Sequence, residues 1–128
     1  MRAQPKRGDG GPMRTGKYNS ERVQLDGYTF DSKAEARRYG ALRLLVASGH
    51  IRDLRVHPRY VLQKAWIDAA GKKQSAITWT GDFQYLEDGR LVIEDVKGVR
   101  TAVFNLKLRM FKFKYPGVIV RVIPAKEV

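Results

Sequence analysis

The chain of 128 residues contains no cysteine and only two histidines, His50 and His57. The lack of cysteine excludes disulfides, thiolate metal ligands and a cysteine nucleophile, and it fits a reducing compartment. Two imidazoles argue against a histidine-rich zinc site. No run approaches the roughly 20 apolar residues of a membrane span, and no apolar segment follows the basic N-terminus as in a signal peptide. We therefore expect a soluble, cytoplasmic protein with no membrane partner and no small-molecule cofactor.

Acidic residues are also scarce, because 13 Asp and Glu stand against 25 Lys and Arg and leave a formal net charge of +12. A small domain this basic usually binds a polyanion, most often nucleic acid. An anionic membrane is the weaker alternative, since no basic amphipathic helix stands apart from the core pattern. A charge that only aids solubility is the other alternative. Composition therefore favours a nucleic-acid partner.

The length predicts a single domain, which a basic segment precedes. Residues 1–17 are rich in Gly, Lys and Arg and almost free of apolar side chains, which predicts a flexible basic arm. Both a phosphate-tracking arm and a functionless extension fit this composition. Residues 18–128 are expected to form the domain.

The first part of the domain carries clear turn and cap signals. Asp26-Gly27 lies between two short alternating runs, a pattern typical of a β-hairpin over residues 22–30. Ser32 and Glu35 have the spacing of a capping box, and Gly49 is a natural stop. A helix is therefore expected over residues 32–48.

Strands are expected in HPRYVLQKAW, in AITWTGDFQYL, in RLVIEDVK and in GVIVRVIP. The segment TAVFNLKLRMFKFKY fits a strand by its alternation, but the alternation changes phase after Met110. A helix fits better, with Thr101 as its cap and Pro116-Gly117 as its stop. Its apolar stripe would be Val103, Leu106, Met110 and Phe113. The expected order is hairpin, helix, three strands, helix and strand, a mixed α/β domain.

The second and third of these strands are predicted to form a hairpin about Asp88-Gly89, in which paired positions sum to 177. This register puts Asp82 opposite Asp95 and Thr80 opposite Lys97, all on one face; a three- or five-residue loop would shift it. Two facing carboxylates repel by roughly 3 kcal/mol at an effective dielectric of 20. A proton, the Lys97 ammonium or a divalent cation such as Mg²⁺, which prefers oxygen ligands, would relieve that repulsion.

Glu35 lies at the N-terminal end of the apolar stripe of the first helix, which continues through Tyr39, Leu42 and Val46. The simpler interpretation is that Glu35 only completes the capping box. Likewise, Asp82 alone fits a sheet-edge acid, and the other two charges fit a surface ion pair. The combination of all of them in a basic chain favours a site.

This ordered set resembles the PD-(D/E)XK nuclease superfamily: Glu35 in SKAEARRY, Asp82 in TGDFQYLEDGR, Asp95 and Lys97 in VIEDVKG, and then a basic helix. Residues 18–123 are also similar to one phage and prophage family within it, through KYN, DSKAEARRY, DFQY and EDVKG. That family is regarded as allied to Holliday-junction resolvases. One departure is Gly81, where the superfamily motif has proline. The resemblance implies a restriction-endonuclease-like core of order α-β-β-β-α-β.

The resemblance further implies a DNA endonuclease that depends on Mg²⁺ or Mn²⁺ and serves phage recombination or replication in a bacterial host. Asp82, Asp95 and the Val96 carbonyl would hold the cation, and Glu35 would hold a metal-bound water or a second cation. Lys97 would orient the attacking water and stabilise negative charge. These four side chains are the candidate catalytic set.

Glu94 points to the opposite face of its strand by parity. Asp95→Ala is therefore expected to abolish cleavage, and Glu94→Ala to keep substantial activity.

Cations near these residues are candidate DNA contacts, because residues 97–115 hold six cations and no acid. A merely solvated helix surface is the alternative for each of them. No base-reading device is evident, so the substrate would be selected by structure, such as a branched junction. The resemblance implies a homodimer. A nuclease for linear or nicked duplex and a non-catalytic DNA-binding accessory protein remain alternatives. The candidate contacts are Arg37, Arg38, Arg100, Lys107, Arg109, Lys112 and Lys114.

Overall fold

A computed structural model describes residues 21–128, so the basic arm predicted over residues 1–17 lies outside the described residues. The fold is of the mixed α+β class, as predicted. Among the described residues, no helix is long and apolar enough to cross a membrane. The elements are β1 (Val23–Leu25), β2 (Tyr28–Phe30), α1 (Lys33–Ala47), β3 (Arg52–Val56), β4 (Arg59–Gln63), β5 (Trp66–Ile67), β6 (Lys73–Gln74), β7 (Ile77–Thr80), β8 (Phe83–Glu87), β9 (Arg90–Lys97), α2 (Ala102–Lys114), β10 (Ile119–Pro124) and a 3-10 helix (Ala125–Glu127).

A four-stranded sheet of order β10-β9-β8-β3 forms the centre of the fold. Strand β9 is parallel to β10 and antiparallel to β8, and β8 is antiparallel to β3. One face of the sheet packs on α1, where Leu42 joins Tyr85 and Val92 in one core. The other face packs on α2, where Phe111 joins Ile93 in a second core. Alternation along β9 therefore sends successive side chains into two different environments.

The predicted hairpin and first helix are confirmed. Asp26 and Gly27 turn β1 into β2 with φ of 54° and 82°, the left-handed backbone that a two-residue turn of this type requires. The Ser32 hydroxyl caps α1 by accepting the Glu35 N–H at 3.1 Å. Gly49 follows the helix with φ of 79°. Local chemistry therefore sets these two elements.

The second helix is confirmed, but its buried face is not the predicted one. The Thr101 hydroxyl accepts the Phe104 N–H at 3.0 Å and caps α2. Val103, Leu106 and Phe113 of the predicted stripe are exposed. The helix is apolar on more than one side, and the sheet takes the competing i, i+4, i+7 stripe, which includes two aromatic rings. The buried residues are Phe104, Leu108 and Phe111.

The segment AITWTGDFQYL is not one strand, because it breaks at Gly81-Asp82. Before the break, β7 pairs with β4, so Thr80 lies opposite Arg59 and the predicted pairing with Lys97 is wrong. After the break, β8 joins the central sheet. The Gly81 N–H donates to the Pro58 carbonyl and the His57 N–H donates to the Asp82 carbonyl, each at 2.9 Å. Residues 57–82 thus leave the sheet and return to the same point, and we call them the ribbon.

Gly81 makes the break possible. A Cβ atom at this position would lie 3.1 Å from Ile93 Cγ2 and 3.7 Å from a Pro58 ring carbon. The first distance is tighter than ordinary van der Waals contact, so the Ile93 side chain would have to shift by a few tenths of an ångström to admit a larger residue. Glycine here allows the close approach of three chain segments.

Strand β3 was not predicted, and it forms the edge of the central sheet beside β8. Its sequence, RDLRV, is charged rather than alternating, and the pairing with β8 shifts register between Arg52 and Arg55. Asp53 has φ of 56° within this irregularity. Charged, bulged sequences are typical of edge strands, and they carry little periodic signal.

Candidate active site

The hairpin of β8 and β9 follows the predicted register. Asp88 and Gly89 form the turn with φ of 52° and 77°. Phe83 pairs with Glu94 and Gln84 with Ile93, so the positions sum to 177 as predicted. The Asp82 N–H continues the ladder by donating to the Glu94 carbonyl at 3.0 Å. Asp82 therefore lies at the strand end, beside Asp95.

The Asp82 carboxylate is fixed by the backbone of β9, since its Oδ2 accepts the Val96 N–H at 2.7 Å. The same residue was expected to offer its carbonyl to a cation, and that contact stays a prediction. A backbone donor leaves little rotational freedom to the Asp82 side chain. One of its oxygens is therefore presented at a defined place, as a metal ligand needs to be.

Asp95 and Lys97 lie on the α2 face, as strand parity predicts. The Lys97 Nζ is 3.6 Å from Asp95 Oδ1. It also lies 4.4 Å from the centroid of the Phe104 ring, and this cation–π contact stabilises the ammonium. Asp95 Oδ2 is buried and has no hydrogen-bond partner among residues 21–128. A buried carboxylate oxygen without a donor is costly, so a proton or a cation is needed there.

Glu35 reaches the same place from the first turn of α1. One carboxylate oxygen of Glu35, one of Asp82 and one ring nitrogen of His57 all lie within 4.8 Å of one another. His57 was not predicted as a site residue. It is exposed and has φ of 55°, an uncommon conformation for a residue with a Cβ atom that often marks functional sites. Sequence holds no direct signal for it, because it enters the site through an irregular turn.

Burial raises the pKa of all three carboxyl groups, and the charge of Asp82 raises the pKa of the other two further. The pKa of Glu35 rises to about 7, chiefly by desolvation and then by the charge of Asp82. Desolvation, followed by the charge of Asp82, raises the pKa of Asp95 to about 7. Desolvation raises the pKa of Asp82 as well. Three acids that resist ionisation in one place form a site that gains from a bound cation.

The donor set fits a hard divalent cation. Asp82 supplies a fixed carboxylate and forms a cluster of possible ligands with Glu35 and His57. Asp95 lies beside Asp82, outside that cluster, and has a buried oxygen with no hydrogen-bond partner among residues 21–128. Carboxylate oxygens suit Mg²⁺ and Mn²⁺, and a single imidazole is accepted by Mn²⁺ more readily than by Mg²⁺. The residues present are therefore compatible with the predicted cofactor.

Glu94, on the other face of β9, has a different environment. It is fully buried and receives two hydrogen bonds from Arg38, at 2.7 Å from Nε and 2.6 Å from Nη2. The Tyr85 hydroxyl donates to the same carboxylate, and Arg121 in turn donates to that hydroxyl at 2.9 Å. This bidentate pair engages two nitrogens of the partly buried Arg38 guanidinium, and the predicted contact of Arg38 with DNA stays a prediction.

A cleft of about 980 Å³ opens beside the acids, between the start of α1, the end of β9 and the C-terminal 3-10 helix. Of the predicted site residues, Glu35, Arg37, Val96 and Lys97 line it. Three further cations line it that sequence did not single out, namely Arg22, Lys33 and Lys126. They come from three distant parts of the chain, so only the fold brings them together. The acids therefore adjoin a cleft whose charged walls are mostly cationic.

Arg100 and the cations of α2 stand apart from this cleft, because none of them is among the described residues that line it. The Lys114 Nζ donates to the Val61 carbonyl at 2.7 Å on the ribbon. The Arg100 Nε donates to Asn105 Oδ1 at 3.1 Å. Arg109 and Lys112 are exposed and Lys107 is half-buried. These cations form a second basic surface, and their contact with DNA stays a prediction.

Comparison with known proteins adds a family but no named relative. No curated protein and no solved structure matches the chain. One family profile matches residues 15–126, which include every residue of the acidic cluster and of the cleft. The chain therefore belongs to the family described as "Protein of unknown function (DUF1064)".

Proposed function

We propose that this protein is a Mg²⁺-dependent endonuclease that hydrolyses DNA phosphodiester bonds, built on a restriction-endonuclease-like core. One observation carries the proposal: the half-buried Asp82 and the buried Asp95 lie side by side at a strand end, with Lys97 next to them and a basic cleft beside them. A structural role alone leaves the Asp95 Oδ2 without a partner. A cation and a phosphate together supply what that oxygen and Lys97 lack.

Each residue has a part in this chemistry. Mg²⁺, when bound by Asp82 and Asp95, polarises the scissile phosphate and lowers the pKa of water. Lys97 orients the attacking water and stabilises the negative charge that develops on the phosphate. Glu35 and His57 hold the water or a second cation. In the net reaction, a water oxygen bonds to phosphorus, the bond to the leaving sugar oxygen breaks, and that oxygen gains a proton.

The charge of the cleft supports DNA as the substrate. Arg37, Lys97 and Lys126 line it, and the whole chain carries +12. Contacts of this kind are made with phosphates and carry no sequence information, so the substrate is recognised by its structure. We propose branched DNA, handled during phage recombination or replication in the cytoplasm of a bacterial host. A homodimer would cut two strands symmetrically.

The test offers a synthetic four-way junction, a flap and a linear duplex side by side to the wild type and to Lys97→Ala. With Mg²⁺ we expect cleavage of the junction by the wild type, and a loss of about 10²- to 10³-fold in the variant. Arg90→Ala is the matched control, since it removes an equal charge from the opposite end of β9, outside the cleft.

Two results would contradict the proposal. Cleavage of no substrate with Mg²⁺ or Mn²⁺, with thermal stability unchanged by either ion, favours the non-catalytic DNA-binding alternative. Cleavage of the linear duplex alone keeps the enzyme but rejects branched DNA.

A further inference from the structure

The far end of the ribbon carries an unusual pair of exposed apolar side chains. Trp66 and Ile67 form the short strand β5, and they are 50 % and 63 % exposed. Trp66 pairs with Gln74 and Ile67 with Lys73 across the two-stranded tip. The other tryptophan of the chain, Trp79, is buried at the ribbon base beside Tyr60 and Phe111. The tip therefore exposes a large aromatic ring that the core does not use.

The tip is held in one conformation by Asp68. Its Oδ1 accepts the Ala70 and Lys72 N–H groups, each at 2.9 Å, and its Oδ2 accepts the Gln74 side-chain amide at 2.8 Å. The backbone N–H of Asp68 also donates to the Lys72 carbonyl at 2.9 Å. Such a network fixes the turn and leaves Trp66 little to lose in conformational entropy on binding.

The charge around the tip favours an anionic occupant. Lys64 lies two residues before Trp66, Lys73 pairs with Ile67, and Lys72 precedes it, while Asp68 is the only acid within residues 64–74. Its carboxylate is bound to its own turn. Two such tips repel each other, so a second copy of the chain is disfavoured. A flat aromatic ring among cations is the chemistry that binds unpaired bases on a phosphate backbone.

We propose that the ribbon tip is a stacking platform for an unpaired base at a discontinuity in duplex DNA, with Trp66 as the platform and the neighbouring lysines on the phosphates. This inference rests on the proposed function and specifies its substrate. From His57, which lies in the acidic cluster, to Trp66 the ribbon advances nine residues, at most about 30 Å at 3.3 Å per residue. The unpaired base thus lies within about nine nucleotides of the cut, at 3.4 Å per nucleotide.

The test measures binding in EDTA, so that it does not depend on cleavage. The two probes are a continuous duplex and the same duplex with a three-nucleotide single-stranded gap. We expect the wild type to prefer the gapped probe by about 5- to 100-fold, the range of one base stacked on an aromatic ring. Trp66→Ala should lose that preference, and Trp66→Phe should keep most of it. Leu44→Ala, which alters another exposed apolar residue, on α1, is the control.

Two further readouts separate stacking from charge. Raising the salt concentration should weaken both complexes while leaving their ratio nearly constant, because stacking releases no counterions. The gapped probe should quench the fluorescence of the exposed Trp66, and Trp66→Phe should abolish that quenching. No gap preference in the wild type, or the same preference in Trp66→Ala, overturns the inference. So does a Trp66→Ala variant that changes only the oligomeric state. If the protein cleaves no DNA in Mg²⁺ but the gapped probe still quenches Trp66, the proposed function is rejected and the inference about the ribbon tip stands.

Discussion

Glu94 and Asp95 are adjacent acids on one strand, and both are buried, yet their surroundings are opposite. Glu94 points toward α1, where Arg38 and Tyr85 satisfy both of its oxygens. Asp95 points toward α2, where Lys97 approaches one oxygen at 3.6 Å and the other oxygen has no partner among the described residues. The first carboxylate is complete within the fold, and the second is not.

The difference teaches that burial of an acid does not by itself indicate function. A buried carboxylate with a full set of donors is stable as an ion, and its loss is felt in folding. A buried carboxylate with an open oxygen and a second acid nearby has its pKa raised, and residues 21–128 supply no partner for that oxygen of Asp95. Removing each acid in turn should therefore affect different measurements.

Asp95→Asn should produce the largest effect, a loss of cleavage of at least about 10³-fold. A cation supplies several kcal/mol of charge stabilisation, and the variant removes one of its two principal ligands. Single-turnover cleavage of the junction measures the loss, and an unchanged affinity for DNA in EDTA shows that the fold is intact. Retention of cleavage by Asp95→Asn would show that Asp95 is not needed for catalysis, in contradiction to its contrast with Glu94.

Glu94→Ala should destabilise the fold by about 2–4 kcal/mol, because it leaves the Arg38 guanidinium partly buried without its partner. Urea denaturation measures it. The double variant Glu94→Leu with Arg38→Met should recover much of the loss, since a buried pair is replaced by apolar groups of similar size. The folded fraction of either variant is still expected to cleave. Loss of cleavage by a folded double variant would place Glu94 in the site.

The metal-free protein should lose stability as pH rises from about 4 to about 7. Glu35 and Asp95 have pKa values of about 7 in the folded chain, above those of the unfolded chain, so folding binds protons in that window. Their stabilising contribution is complete below the unfolded pKa and is lost as pH passes the folded pKa. Thermal melts in EDTA at pH 5 and pH 8 should differ by several degrees.

Two controls sharpen this pH effect. Mg²⁺ should restore stability at pH 8, because it neutralises the ionised acids. Asp95→Asn should reduce the difference between the two pH values, while the Glu94→Leu, Arg38→Met double variant should not. A pH difference unaffected by both Mg²⁺ and Asp95→Asn would assign it to other groups.

Lys126→Ala should have the smallest effect, a loss of DNA affinity of a few-fold that is uniform across sequences. It removes one phosphate contact from the cleft, so the slope of log affinity against log salt should fall by about one. Fluorescence anisotropy over a salt series measures both quantities. Arg90→Ala, in the β8–β9 turn region, provides an equal change of charge away from the cleft. Equal effects from the two variants would deny the cleft a role in binding.

Sequence predicted what depends on neighbours along the chain. The turn at Asp88-Gly89 sets the register of β8 and β9, and parity then separates Glu94 from Asp95 without any tertiary information. The caps of α1 and α2 were likewise local. The position of Asp82 beside Asp95 follows from the same register.

Features that depend on tertiary competition were missed. The sheet packs on the stripe of α2 that contains Phe104 and Phe111, and not on the predicted stripe, which is equally regular in sequence. The pairing of Arg38 with Glu94 was also missed, because the two residues lie 56 positions apart in the sequence. His57 and Lys126 reach the site through an irregular turn and the C-terminal end. The periodicity of the sequence does not indicate long-range contacts of this kind.

The ribbon leaves and rejoins the sheet through one pair of backbone hydrogen bonds, beside Asp82 at its C-terminal end. Its two ends are therefore fixed to each other whatever lies between them. Residues can be added to or removed from the middle of the ribbon, in pairs that keep its strands in phase, without altering the register of β8 and β9. The length of the ribbon and the geometry of the Asp82 and Asp95 carboxylates can thus change independently.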